Sequence, residues 1–251
     1  MAKTFFLILR KKSRLLVLVF LFNSQVFMYC SEHLQTEQKA STVVVANSRD
    51  KAQAQFFGKI EEISEEIAAL MTGRSWIPVC PVQLKDLRYL TVAHWGYDNT
   101  VHTGHVVVHV KLAQEMLEIF EELFQARFPI ERMELIDLYE ANDERSMEAN
   151  NSSAFCCRAN TTKPGVFSNH SYGIAIDINP LINPYVRGSL VLPNSGKVYV
   201  DRTQSYVGMI TETLDNPCYR AFVTRGYEWG GNAWPDRIDY QHFSKQISDI
   251  S

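Results

Sequence analysis

A short alternating segment in the second half of the chain constrains the fold most strongly. From Gly173 to Ile178 every second residue is isoleucine. Because side chains along a strand point alternately to its two faces, this pattern predicts a strand whose isoleucine face lies in the core. The opposite face carries Gly173, Ala175 and Asp177, which leaves room for a ligand beside a carboxylate. Taken alone, the pattern equally fits a capped strand with an exposed aspartate.

A histidine before this segment and a motif near the C-terminus supply further groups able to bind a metal. His170 lies where the chain can turn it back toward Asp177. The aromatic and glycine-rich stretch 226–234 precedes Asp239 and His242. A regular strand would place residues three apart on opposite faces. One helical turn or a bulge is therefore needed to bring this pair together, and the sequence leaves both open.

The chemistry of these groups favours metal-assisted hydrolysis. Together, His170, Asp177 and His242 are a ligand set suited to a catalytic zinc ion, with a fourth position left for water. Asp239 is then the candidate general base. Hydrolysis of an amide also needs a cation beside the developing oxyanion, for which Arg158 is the candidate. Taken by itself, Arg158 fits a surface or structural arginine as well.

Helical patterns come first in the chain, and short strand-like runs follow. Apolar residues recur at three- and four-residue spacing over 56–70, which predicts a helix ended by Gly73. A second helix is predicted over Lys111–Arg127. Later, short apolar runs at 197–200 and 221–224 predict strands. Helices followed by strands favour an α+β domain over a parallel βαβ array.

The first 30 residues differ from the rest of the chain in charge and hydropathy. They hold five basic residues and no acid, so that with −3 overall the rest of the 251 residues carries −8. Their apolar run at 15–22 is shorter than the roughly 20 residues that span a bilayer as a helix. We therefore expect 1–30 to be a secretory signal, with an N-terminal membrane anchor or a buried core segment as alternatives. Residues 31–51 are interpreted as a polar linker and 52–251 as one domain, whose acidic charge argues against nucleic acid as a partner.

Four cysteines follow this leader, at positions 80, 156, 157 and 218. An even number in an oxidising compartment permits disulfide bonds. A bond between the neighbours Cys156 and Cys157 would be strained, so Cys80–Cys218 is the favoured pair. Free buried cysteines are the alternative.

Two motifs in a fixed order resemble one group of peptidases. The first is Ser-x-His-x-x-Gly-x-Ala-x-Asp at 168–177. Trp-Gly-Gly at 229–231 then leads to Asp-x-x-His-Phe at 239–243. This pattern is similar to that of the zinc metallopeptidases of the D-alanyl-D-alanine carboxypeptidase and L-alanyl-D-glutamate endopeptidase group. The similarity covers roughly residues 80–245.

This resemblance implies a role for each candidate residue: zinc ligands at His170, Asp177 and His242, a general base at Asp239, a contact to the scissile carbonyl at Arg158 and a substrate contact at Ser168. It implies a single compact α+β domain of the hedgehog and D,D-peptidase kind, with a small antiparallel sheet flanked by helices. The implied enzyme is a monomer with one zinc ion, in the periplasm or cell envelope. It would cut peptidoglycan stem peptides as a D,D-carboxypeptidase or an L-Ala-D-Glu endopeptidase.

Two alternatives stay open. A zinc-containing wall-binding module could share this fold without cutting, since fold alone does not establish activity. Asp239 and Arg158 favour the enzyme, because a binder needs neither. Separately, His102, His105 and His109 also have metal-like spacing, although a half-exposed strand before the long helix accounts for them.

Overall fold

The computed structural model describes residues 54–160, 163 and 165–248 of the chain. They belong to one compact unit that begins at Ala54, with the predicted α+β architecture built from small antiparallel sheets and short helices. The predicted leader, 1–30, and the predicted linker, 31–51, lie outside the described residues. Within the described ranges, no helix has both the length and the apolar character needed to cross a membrane.

The first layer is a three-stranded sheet covered by the longest helix. The elements in chain order are β1 (Gly58–Glu62), α1 (Glu65–Met71), β2 (Leu87–Trp95), β3 (Val101–His109) and α2 (Ala113–Gln125). The three strands pair in the order β1-β2-β3, and α2 packs on β2. The helix predicted over 111–127 is therefore confirmed. Its apolar face is buried, namely Met116, Ile119, Phe120, Leu123 and Phe124.

The helix predicted over 56–70 is wrong in its first half. Residues 58–62 form β1 instead, because they pair with β2 in antiparallel register. Only α1 is helical, and Ser64 begins it by accepting a hydrogen bond from the Ile67 amide on its side-chain oxygen. Gly73 follows the end of α1 with a left-handed φ of 82°, as expected for a residue that ends a helix. Long-range pairing thus outweighs the local helical period.

Two further helices are α3 (Asp143–Glu148) and α4 (Pro217–Val223). The strand predicted at 221–224 is wrong, because α4 occupies most of it. Asn216 caps α4 by accepting a hydrogen bond from a backbone amide of the first turn, and proline suits the first helical position. The strand predicted at 197–200 is also wrong, since a 3-10 helix spans Asn194–Tyr199. Short apolar runs do not by themselves distinguish strand from helix.

Six short strands build the rest of the unit: β4 (Ala175–Asp177), β5 (Tyr185–Arg187), β6 (Leu190–Leu192), β7 (Glu228–Trp229), β8 (Ile238–Asp239) and β9 (His242–Ser244). They form two antiparallel sheets in the orders β4-β9-β7 and β6-β5-β8. Tyr240 and Gln241 alone separate β8 from β9, which belong to different sheets. The isoleucines at 174, 176 and 178 lie in the main core, which confirms the face predicted from their alternation.

The predicted Cys80–Cys218 disulfide is wrong. Cys80 is bonded to Cys157, with their Cα atoms 5.8 Å apart. Cys218 lies on the buried face of α4 with 0% exposure, where its thiol packs in the core. Cys156 is also free and buried. Adjacent cysteines point to different surroundings, so only the second of the pair reaches Cys80.

Replacing Cys80 with alanine should lower the free energy of unfolding by about 2–4 kcal/mol, because the bond restricts the unfolded chain. The two cysteines are 77 positions apart, so the closed loop is long. Urea unfolding followed by tryptophan fluorescence measures the change. The double variant Cys80→Ala/Cys157→Ala serves as the control and should respond no further to a reductant. Equal unfolding midpoints for oxidised and reduced wild-type protein would contradict the prediction.

Candidate metal centre

A short 3-10 turn positions His170. Ser168 caps the turn Asn169–Tyr172 by accepting a hydrogen bond from the His170 amide, at 3.4 Å. Gly173 ends the turn with a φ of 68°. A Cβ at this position would lie 2.6 Å from the His109 backbone nitrogen, so the site requires glycine. The turn places the imidazole in the interior, where it is 4% exposed.

A backbone carbonyl orients the His170 ring. Nδ1 of His170 donates a hydrogen bond to the carbonyl oxygen of Ala154 at 2.6 Å. Because a carbonyl oxygen only accepts, Nδ1 carries a proton, and Nε2 is the nitrogen that faces the other two candidate ligands. Metal-binding histidines are usually supported by such a contact on the nitrogen away from the metal.

Asp177 and His242 are direct cross-strand partners. The pairing of β4 with β9 sets them opposite each other, and Oδ1 of Asp177 lies 3.0 Å from Nδ1 of His242. Nε2 of His170 lies 3.2 Å from Oδ2 of Asp177 and 3.2 Å from Nδ1 of His242. All three side chains are buried. Three ligand atoms from three different elements, the 3-10 turn, β4 and β9, therefore converge.

This donor set fits a zinc-type cation. Two imidazole nitrogens and one carboxylate oxygen match the three protein ligands of catalytic zinc sites, which keep a fourth position open. Gathering such lone-pair atoms in a buried place is costly unless a cation or protons compensate. Among the residues that the structure describes, no other three side chains of histidine, cysteine, aspartate or glutamate bring their ligand atoms as close together.

The two carboxyl groups of the site have pKa values shifted in opposite directions. Burial alone would raise the pKa of Asp177, but His170 and His242 outweigh it and hold that pKa well below its usual value. Burial raises the pKa of Asp239 to about 7, with Asp177 adding to the rise while His242 and Arg158 oppose it. Asp177 therefore stays ionised at neutral pH, whereas Asp239 can take up and release a proton there.

Gly230 holds Asp239 at a fixed distance from His242. The Asp239 backbone N–H donates to the Gly230 carbonyl oxygen, and the Gly230 N–H donates to the His242 carbonyl oxygen, both at 2.8 Å. A Cβ on Gly230 would lie 2.6 Å from the Asp239 carbonyl oxygen, so a side chain is not tolerated. The first glycine of Trp-Gly-Gly thus has a defined role. Oδ1 of Asp239 is buried without a hydrogen-bond partner among the described residues.

Arg158 lies at the same site and is held by an acid. Its Nη2 lies 3.0 Å from Oδ2 of Asp143, the first residue of α3. Its backbone N–H donates to Oγ of Ser171 at 2.9 Å. Nε of Arg158 is buried and makes no hydrogen bond within the described part of the chain. The guanidinium therefore keeps an unused donor.

A cleft of about 280 Å³ brings the predicted residues together. Besides the three candidate ligands, it is lined by Asp239, Arg158 and Ser168. The role of Ser168 as a substrate contact stays a prediction. The lining also includes residues that the sequence patterns did not single out as site residues, among them Tyr185, Arg187, Trp234, Arg237 and Gln241. Residues 185 and 187, and residues 237 and 239, are two positions apart, as are side chains that share one face of a strand. This spacing could have indicated Tyr185, Arg187 and Arg237.

The alternative histidines do not meet at one point. Nε2 of His102 lies 3.0 Å from the Asp98 carboxylate. Nδ1 of His105 lies 3.3 Å from Oγ1 of Thr91. Nδ1 of His109 accepts a backbone hydrogen bond from the 3-10 turn that follows β3. Each ring therefore has a different neighbour.

Comparison with known proteins agrees with the motif resemblance. Residues 161–245 match the model of a family described as D-alanyl-D-alanine carboxypeptidase. The matched segment contains His170, Asp177, Asp239 and His242 and begins after Arg158. No curated protein and no solved structure gives a significant match. The resemblance predicted from the two motifs is confirmed at the level of the peptidase type.

Proposed function

We propose that this chain, a peptidase of the D-alanyl-D-alanine carboxypeptidase type, is a zinc-dependent hydrolase of peptide bonds in peptidoglycan stem peptides. The observation that carries the proposal is the convergence of His170, Asp177 and His242 in a cleft that also presents Asp239 and Arg158. A zinc ion on these three ligands would lower the pKa of water and polarise a substrate carbonyl.

Two residues of the chain supply proton transfer and charge stabilisation in this proposal. Asp239 accepts the proton of the attacking water while the water oxygen adds to the carbonyl carbon. Arg158 donates to the carbonyl oxygen, which becomes negative as the tetrahedral intermediate forms. When the C–N bond breaks, the proton passes from Asp239 to the leaving amine. The carboxylate is thereby restored for the next cycle.

The site favours hydrolysis over a binding module that does not cut. Asp239 combines a pKa of about 7 with a buried, unpaired oxygen. Arg158 lines the same cleft and keeps one donor without a partner among the described residues. A module that only held a wall peptide would need neither a proton acceptor nor a contact to an oxyanion. Export to the periplasm or cell envelope and action as a monomer belong to the same proposal.

Digestion of purified muropeptides by the full-length protein should release fragments, and a chelator should abolish the release, because the proposed mechanism relies on a zinc ion to lower the pKa of water and to polarise the carbonyl. Added zinc should restore it, and metal analysis should find about one zinc ion per chain. Mass spectrometry identifies the bond. Loss of terminal D-Ala would indicate a carboxypeptidase, and scission after L-Ala would indicate an endopeptidase. The absence of any product from folded, zinc-loaded protein would favour the binding module.

A further inference from the structure

The sheet β6-β5-β8 lines the cleft with one of its faces. Its register pairs Tyr185 with Asp239 and Val186 with Ile238, and the same register continued by one residue sets Arg187 opposite Arg237, which lies just before β8. Alternate residues of a strand share a face, so β5 and β6 each contribute two side chains to the cleft, and Asp239 of β8 and Arg237 just before it contribute two more. Those six residues all line it: Leu190, Leu192, Tyr185, Arg187, Arg237 and Asp239. We call this face the cleft wall.

Two like charges lie side by side on the cleft wall. Arginines directly opposite each other on paired strands repel unless an anion compensates. Asp236 lies against both, with Oδ1 2.8 Å from Nη1 of Arg237 and Oδ2 3.6 Å from Nη2 of Arg187. Arg237 also stacks on the Trp234 ring, with its guanidinium carbon 4.2 Å from the ring centroid. Two guanidinium groups therefore share one carboxylate, which leaves this end of the wall with net positive charge.

The arginine pair, Arg187 and Arg237, lies at a defined distance from the candidate base. Strands rise by about 3.3 Å per residue, so the pair is about 7 Å from Tyr185 and Asp239 along the wall. An extended peptide that followed the wall would cover this distance in two residues. A substrate group at the arginine pair would then belong to a residue within two positions of the bond that faces Asp239.

We propose that Arg187 and Arg237 form an anion subsite that binds a free carboxylate of the peptide substrate, within about two residues of the cleaved bond. The position of that bond rests on the proposed function, but binding of the carboxylate does not require cleavage. Guanidinium groups match the planar geometry of carboxylates and bind them with two parallel hydrogen bonds. The protein should therefore bind peptides with a free carboxylate near this bond more tightly than the same peptides in which that group is amidated.

Equilibrium binding of matched peptides tests the subsite. The probe is a stem pentapeptide that ends in D-Ala-D-Ala, compared with forms in which the C-terminal or the D-Glu carboxylate is amidated. Calorimetric titration uses the full-length protein, both zinc-loaded and chelator-treated. At least one amidation should weaken binding by about three- to tenfold, as expected for a partly exposed ion pair with good hydrogen bonds. The ratio of the dissociation constants for the amidated peptide and the free-carboxylate peptide expresses this preference. Arg187→Gln and Arg237→Gln should each reduce that ratio, and the double variant should bring it close to one.

Control variants separate the subsite from a general effect of charge. Arg145→Gln removes the same charge from an exposed pair with Glu140 outside the cleft lining, and should leave the ratio unchanged. Arg237→Lys keeps the charge and should retain part of the preference. Circular dichroism verifies that each variant is folded.

Three results would overturn the proposal. In the first, the wild-type protein binds all the peptides with equal affinity. In the second, the arginine substitutions weaken the binding of every peptide by the same factor. In the third, the wild-type protein binds none of the peptides. Cleavage of muropeptides is scored separately. A protein that cuts without a preference for the carboxylate refutes the subsite alone, whereas one that shows the preference without cutting refutes the proposed function alone.

Discussion

Asp239→Asn should lower the turnover number on a cleaved stem peptide by about 10²- to 10⁴-fold, because an amide cannot accept the proton of the attacking water. Bound metal should not change, since Asp239 is not one of the three converging ligand candidates. Asparagine is similar in size and keeps the backbone hydrogen bond to Gly230. Steady-state kinetics gives the turnover number, and elemental mass spectrometry of the same sample gives the zinc content.

Asp201→Asn is the matched control for this substitution. Asp201 is exposed, and its carboxylate accepts hydrogen bonds from Thr203 and Gln204 in its own turn. The same chemical change there should leave both turnover and zinc content at wild-type values. Wild-type turnover in the Asp239→Asn variant would remove Asp239 from the mechanism and require another proton acceptor.

His242→Ala should lose both metal and activity. The substitution leaves one imidazole and one carboxylate from the converging set. Loss of a contact that only supports a ligand typically costs 10- to 100-fold in metal affinity, so removal of a ligand should cost more than about 100-fold. Competition with a chromophoric zinc indicator measures the affinity. Peptide release should fall to the rate of the chelator-treated wild-type protein.

His102→Ala controls for the loss of any histidine. His102 is exposed on β3 and contacts Asp98 rather than the cleft residues. Its substitution should leave zinc affinity unchanged. If His242→Ala bound zinc as tightly as the wild type while His102→Ala did not, the metal site would have been assigned to the wrong histidines.

The parts of the fold that could be predicted are those governed by local pattern and burial. Helix α2 follows from an apolar stripe of helical period over three turns, and β4 follows from alternation. Residues 58–62 could not be assigned in the same way, because their apolar spacing also fits a helix. Their conformation depends on pairing with β2, some 30 positions later in the chain. The Cys80–Cys157 bond likewise depends on tertiary proximity, which cysteine spacing does not reveal.

The candidate site could be predicted where local sequence patterns indicate its reactive residues. His170 and Asp177 lie next to a strand that sets aside a face with small residues, and the structure brings both to the cleft. The relation of Asp239 to His242 stayed open, because neither a regular strand nor a helix was indicated. The structure answers it with a two-residue corner between β8 and β9. The arginine pair went unnoticed, since it arises from pairing between β5 and β8, which lie about 50 positions apart.

That corner limits how the length of the chain can vary. Asp239 is held by the sheet of the cleft wall and His242 by the sheet of β4, with Tyr240 and Gln241 between them. One inserted or deleted residue would turn the side chains of one strand to its opposite face, so a proposed base or a proposed ligand would leave the cleft. The exposed segment 203–205 can change length at little cost in comparison. Variants of this protein can therefore gain or lose residues in that segment, whereas the count from Asp239 to His242 must stay the same.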